Sequence, residues 1–319
     1  MAKSNTSVSD PERIVFRNGK ERWANFKKYK FLYLLTIPGI LYFMLFKYVP
    51  LFGSVMAFQD YNIFKGYLGS AWVGLDHFQR MFQYPDFLRI LKNTILLAIY
   101  SLGFSFPIPI LLALLLNEIR KVLFKRTLQT ILYMPHFLSW IVIGGIAIEI
   151  LSPRNGFVNN IITSLGFNAV YFMGEESYIR TILVSSGIWK DAGWGTIIYL
   201  AALTGINPDL YEASEMDGAS RWKQTLSITL PAIMPTITIL FLLQIGHFMD
   251  FGFERVSVFL NTLNSSKGEI LDTYIYTIGL LDRQYSYTTA IGLFKSVVGL
   301  VLIMTGNAVS KKMTGEGLY

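Results

Sequence analysis

The residues WKDAGW, Trp189 to Trp194, put two indoles, an ammonium and a carboxylate inside an otherwise apolar stretch. An ionisable group within such a segment is a functional candidate by default, because its burial is costly. Trp189, Asp191 and Trp194 have the chemistry of a sugar site: polar groups take hydroxyls, and the C–H faces of a sugar ring stack on indole. Packing, and anchoring of the indoles at a bilayer interface, is the competing explanation. Lys190 and Asp191 are neighbours and do not face each other on a helix, so a broken or water-facing stretch near Gly193 and Gly195 is expected. Gln244 and Lys295 are further pathway candidates, while Lys47 and Asp250 read as groups that reach an interface. His77, His136 and His247 are far apart and lack metal-ligand spacing, so no metal site is expected. Without cysteine the chain has no disulfide, thiolate zinc site, iron–sulfur cluster or thiol nucleophile.

A second constellation is YEASEMDGASRWKQTLSITLP, Tyr211 to Pro231, a polar segment between two apolar ones. Asn207 suits an N-cap, Pro208 the first helical position, and Asp209 the positive end of the helix dipole. Gly218 is placed as a helix stop, and Ser220 can cap a second helix that runs to Pro231. Leu210, Ala213 and Asp217 share one side of the first helix; Tyr211, Ser214 and Gly218 share the next. Ala213, Ser214, Gly218 and Ala219 leave the backbone open to close approach, and Glu212, Glu215 and Asp217 form an acidic rim. Such a helix has the shape of a knob for another protein's cleft. The plainer alternative is a surface helix that holds two spans apart. Nothing in it is catalytic.

These residues must be positioned by membrane helices. Of 319 residues 52% are hydrophobic, mean hydropathy is +0.42, and 15% are charged, against about 25% in soluble domains. The composition predicts an all-α polytopic membrane protein. Six runs can span, at about 31–57, 93–116, 128–151, 179–203, 232–249 and 289–309. Pro107 and Pro109 in the second break or kink it. Arg13, Arg17, Lys20, Arg22, Lys27, Lys28 and Lys30 precede the first span. Arg120, Lys121, Lys125 and Arg126 follow the second, and Lys311 and Lys312 follow the sixth. All fall on one side of a six-span arrangement, so both termini are expected in the cytoplasm. A net charge of +7 gathered at span flanks speaks against a nucleic-acid partner. The expected organisation is a retained basic tail (1–30), a first span (31–57), an outer loop (58–92), a core of five spans (93–310) holding the polar loop 204–231, and a short C-terminus (311–319).

The run Glu212-Ala213-Ser214, Gly218 and Ile228-Thr229-Leu230-Pro231 resembles the EAA signature of ABC importer permeases, with Ser214 in place of the second alanine. FKYVPLFGSVMAFQDYNIFKG, GSAWVGLDHFQRMF, PIPILLALLLNE, YMPHFLSWIVIGG, GWGTIIYLAALTGINPDLYEA, LDTYIYTIGL and YTTAIGLFKS are similar to the LplB-type oligosaccharide/polysaccharide branch of the maltose-permease-like family. The resemblance covers about residues 30 to 315. It implies a type I importer fold in a bacterial cell membrane, with a coupling helix between the fourth and fifth spans. The implied partners are a second permease subunit as a heterodimer, a cytoplasmic ATPase dimer, an extracellular solute-binding lipoprotein, membrane lipid and an oligosaccharide substrate. Glu212, Ala213, Ser214 and Gly218 would form the coupling helix, with Asp217, Ala219 and Arg221 supporting it.

The chain has no G-x-x-x-x-G-K-[S/T] loop to cradle phosphates. ATP and magnesium are therefore expected in a separate ATPase, with no cofactor in this chain. Two other classes compete. An ion-driven secondary transporter would use intramembrane acids near the midplane, where Asp191 is the candidate. A membrane enzyme would need clustered acid, base or nucleophile residues, and the acidic loop lacks histidine or metal spacing.

Overall fold

Long apolar runs without a polar face form helices because every backbone group is then satisfied within its own segment. A computed structural model describes Trp23, residues 26–314 and Gly317. Most of the basic tail lies outside the described residues. The chain divides into two units, Met1–Val55 and Met56–Tyr319.

In the first unit, helix Lys30–Phe43 runs through a π-helical turn, Met44–Tyr48, into the helix Val49–Leu51. None of these residues is buried. Lys47 sits in the π turn.

The second unit holds nearly all of the packing. A two-residue antiparallel ladder pairs Gln59–Asp60 with Ala71–Trp72. Helix Pro85–Tyr100, a π turn at Ser101–Ser105 and helix Pro107–Glu118 follow one another as one long helical stretch. Pro107 stands at the start of its helix, where the missing N–H costs little, so the prolines do not break the span. The third expected span is not one straight helix. Val122–Phe137 and Trp140–Ile150 meet at 104°. Pro135 lies at the start of a 3₁₀ turn, and Ser139 caps the next helix by accepting from the Val142 N–H.

The fourth, Ile179–Thr204, is unbroken across Gly193 and Gly195, contrary to the expected break. Its glycines serve close approach instead. A Cβ at Gly193 would come within 2.0 Å of the Leu132 carbonyl oxygen, and one at Gly195 within 3.0 Å of the Pro109 ring. This central helix carries Arg180, Lys190 and Asp191, and it is not among the helices long and apolar enough to cross a membrane. Those are four among the described residues: Lys30–Phe58, Pro85–Glu118, Arg221–Gly246 and Tyr285–Lys312. Counting the bent pair makes five.

Two apolar clusters lie along the central helix. One gathers Ile179, Leu183, Val256, Phe259 and Ile270. The other gathers Ala113, Tyr199, Leu203 and Ile233. The segment expected as the last outer loop is itself largely helical, with helices Phe253–Phe259 and Leu271–Tyr274 and a π-helical stretch Ile275–Leu281.

Candidate functional site

Between the two apolar clusters the central helix faces a cavity of about 410 Å³. Its polar lining includes Ser101, Ser105, Asp191, Gln244, His247 and Arg255. The size lies within the range of small-molecule sites. Ser101 and Ser105 come from the π turn, whose wider ring carries them to the cavity wall. Gln244 and His247 come from the end of helix Leu230–Gly246. Ser105 Oγ is buried and has no hydrogen-bond partner.

Two of the expected pathway residues, Asp191 and Gln244, therefore share one wall. Asp191 Oδ1 meets His136 Nδ1 at 2.9 Å. The His136 ring stacks on Trp194, with centroids 4.6 Å apart and planes 5° from parallel. Trp189 and Trp194 are half-exposed and lie outside the cavity lining. Lys295 is elsewhere again. It is half-buried and ion-paired with Asp250, at 2.7 Å, and with Asp272. So Asp250, read as an interfacial group, holds Lys295 of the last helix.

Lys190 is placed by the bend. Turning the chain at Leu138 leaves carbonyls without helical partners, and the Lys190 ammonium donates to His136 O at 2.7 Å and to Leu138 O at 2.6 Å. Trp140, on the far side of the bend, lies between two cations, with Lys190 Nζ 5.6 Å and the Arg255 guanidinium 5.5 Å from its ring centroid.

Arg255 was not singled out by sequence reasoning. It sits in the connector helix Phe253–Phe259, outside the long apolar helices, and is 9% exposed. Its Nε donates to Leu183 O at 2.9 Å, and its guanidinium lies 4.2 Å from the Phe251 ring centroid. Gly187 makes room for it, since a Cβ there would come within 2.1 Å of Arg255 Nη2. Burial pushes the guanidinium down to about 10, with Asp191 drawing it back up, so it stays a cation at neutral pH. An arginine in a run flanked by Phe251 and Phe259 was the one local signal.

The polar loop forms a second site. Helix Asp209–Met216 starts after Pro208, one residue later than expected, and Asn207 Oδ1 accepts from the Asp209 N–H at 3.1 Å. It ends at Gly218, whose φ is +75°. Gly218 N–H donates to Glu215 O and Ala219 N–H to Ser214 O, the paired bonds of a Schellman cap. Ser220 caps the next helix by accepting from the Lys223 N–H at 3.4 Å.

One face of the loop helix is fastened to the body. Tyr211 Oη and Thr229 Oγ1 lie 2.9 Å apart, and Gln224 Nε2 donates to Ser214 Oγ at 2.9 Å. Arg221 donates to Glu118 at 3.0 Å, tying the loop to the end of helix Pro107–Glu118. The other face, with Glu212, Ala213, Glu215, Met216, Asp217 and Gly218, is exposed. Ala219 is half-buried. No group of residues fit to hold a metal ion occurs among the described residues.

Residues 105–315 match the family described as "Binding-protein-dependent transport system inner membrane component". The chain is 47% identical over 310 residues to the polygalacturonan/rhamnogalacturonan transport system permease protein YteP of Bacillus subtilis strain 168, covering 97% of each. It is 47% identical over 296 residues to Protein LplB of the same strain, covering 93% of each. Its fold is similar to a chain in the crystal structure of a bacterial alginate ABC transporter in complex with an alginate pentasaccharide-bound periplasmic protein. The TM-score is 0.86 at 40% identity, covering 93% of this chain and 99% of that one.

Proposed function

The chain belongs to the family of binding-protein-dependent transport system inner membrane components, and from that membership we propose that it is one permease subunit of an ATP-driven importer of oligosaccharides. Relatives named as permeases for polygalacturonan/rhamnogalacturonan and arabinooligosaccharides support a saccharide cargo. Those names are of transport subunits, and this chain is a transport subunit rather than an enzyme.

The observation that carries the reading is the loop helix Asp209–Met216. Two side-chain bridges, from Tyr211 and Ser214, hold one face of it, a third from Arg221 ties the next helix to Glu118, and the opposite face is an exposed small, acid-rimmed surface. A rigid projection fastened to the core is what transmits a partner's movement into membrane helices. Glu212, Ala213, Ser214 and Gly218 form the coupling helix, whose exposed Glu212, Ala213 and Gly218 enter the groove of a cytoplasmic ATPase while Ser214 is held by Gln224, and Asp217, Ala219 and Arg221 support them. ATP and magnesium bind in that ATPase. A second permease completes the pathway, and an extracellular solute-binding lipoprotein delivers the sugar.

The four long apolar helices, the bent pair and the central helix make six crossings in this arrangement, with both termini cytoplasmic. The proposed organisation is tail 1–30, first span 31–57, outer loop 58–92, core 93–310 with the coupling loop 204–231, and C-terminus 311–319. Asp191 and Gln244 line the pathway in this chain. Trp189, Trp194 and Lys295 reach it in the assembled pair or in another state.

The test is uptake into proteoliposomes that hold the permease pair and the ATPase, with the binding protein outside. The account expects uptake of labelled oligosaccharide only with ATP inside. Uptake driven by a proton or sodium gradient without ATP contradicts it and identifies a secondary transporter. Trp189→Ala and Asp191→Ala lower uptake while the complex still co-purifies; wild-type uptake in both removes them from the pathway.

A further inference from the structure

We propose that the tip of the hairpin after the first span, residues 61–72, lies in the headgroup interface of the bilayer and anchors the chain there. This rests on the reading of the chain as a membrane-spanning permease subunit, and not on its cargo.

The argument starts from what the tip turns outward and what it keeps inside. Ile63, Phe64, Tyr67, Leu68 and Trp72 are exposed, Phe64 and Leu68 almost completely. Lys65 is exposed among them. An apolar patch of this kind marks a surface that something covers. The polar groups of the same tip are engaged within it. Asn62 O accepts from the Lys65 and Gly66 N–H groups at 3.1 and 3.0 Å, and Asn62 Oδ1 accepts from the Phe64 N–H at 2.9 Å. Ser70 Oγ accepts from the Asn62 N–H at 3.0 Å and donates to Gly66 O at 2.6 Å. Gln59 Nε2 donates to Tyr67 O at 2.9 Å. Gly66, with φ +63°, permits the turn. A backbone that satisfies itself while apolar side chains face out is what a lipid environment requires. A protein partner would meet backbone groups already bonded, whereas protein interfaces carry direct hydrogen bonds throughout.

Position supplies the occupant. Gln59 opens the ladder directly after Phe58, the last residue of the apolar helical stretch Lys30–Phe58. The Tyr61 N–H donates to Ser286 Oγ at 2.9 Å, and Ser286 stands in the first turn of the span Tyr285–Lys312. The hairpin thus begins where one span ends and is bonded where another begins, at the level of the headgroups. Its base is fixed by Phe58, which stacks on Trp72 with centroids 5.8 Å apart, and by His77 Nε2, which donates to Gln59 O at 3.0 Å. Tyrosine and tryptophan favour that level because each joins an apolar ring to a polar tip. Lys65 completes the pattern, with an apolar stem in the interface and an ammonium among lipid phosphates. In the proposed arrangement this is the outer leaflet.

The chain has no cysteine, so one introduced cysteine takes a label without further changes. Phe64→Cys and Leu68→Cys, each carrying a nitrobenzoxadiazole fluorophore, are placed in the whole permease–ATPase complex in nanodiscs of phosphatidylcholine and phosphatidylglycerol. Doxyl-labelled lipid is expected to remove most of the emission at both positions, and aqueous iodide little of it. Adding the solute-binding protein is expected to change neither result. Labels that iodide reaches freely overturn the proposal. Labels that doxyl lipid leaves bright and the binding protein shields also overturn it, and assign the tip to a protein partner. Leu41→Cys and Leu300→Cys, at exposed residues inside the two spans, separate the readings. Lipid quenching there but not at 64 and 68 refutes the hairpin anchor alone. Lipid quenching at none of the four refutes the membrane-spanning reading itself.

Discussion

At Gly218 the backbone is in the left-handed region, and a Cβ built there meets nothing within 4 Å. A side chain at this position therefore costs this chain about 1 kcal/mol of backbone strain and no steric overlap. Gly218→Trp is expected to leave the permease folded, with a thermal midpoint close to that of Gly218→Asn, which tolerates the same φ. Retention of the ATPase should separate them: lost in the tryptophan variant, kept in the asparagine variant. Equal retention in both would mean that nothing docks there. Lys190 makes the opposite kind of case. It is buried and supplies two hydrogen bonds to carbonyls freed by the bend. Lys190→Met is expected to destabilise by about 2 kcal/mol or more, because both acceptors stay buried without donors. Denaturation that leaves its midpoint unchanged would show that the bend does not depend on Lys190.

At the scale of elements, the central helix is positioned by what its glycines admit. Gly193→Val is expected to force the helix from the Leu132 carbonyl, at about 1–3 kcal/mol or more for overpacking. Gly145→Ala, where the added Cβ meets nothing within 4 Å, should be neutral or slightly stabilising. Comparing detergent-solubilised yields and melting curves checks the pair, and equal behaviour would remove the close approach from the account. These glycines also mark what sequence could and could not disclose. Gly193 and Gly195 look alike whether they end a helix or let one in, and only the approach of Leu132 and Pro109 decides. The helix stop at Gly218 and the cap at Ser220 were readable, and the start was displaced by one residue from Asn207 to Pro208, because capping is settled by hydrogen bonds a few residues away. The 104° bend left traces in Pro135 and Ser139 that the apolar run around them concealed. Arg255 left almost none, since its burial depends on Gly187 in a distant helix.

For the molecule as a whole, two sites lie on one framework. The cavity is walled by the central helix and the end of helix Leu230–Gly246, and the polar loop 204–231 joins those same two helices. Tyr211–Thr229 and Ser214–Gln224 tie Asp209–Met216 to the segment that leads into helix Leu230–Gly246, one of those walls. The class of protein was readable from composition because apolar runs near the length of a bilayer have few other uses. The cavity was only half readable, because Asp191 and Gln244 stood out by polarity while Ser101, Ser105 and Arg255 matter by position. The most direct test of the central claim is co-purification from native membranes in mild detergent, with every accompanying chain identified. The account predicts a second permease and an ATPase in stoichiometric amounts. Recovery of this chain alone, still transporting without ATP, would contradict it.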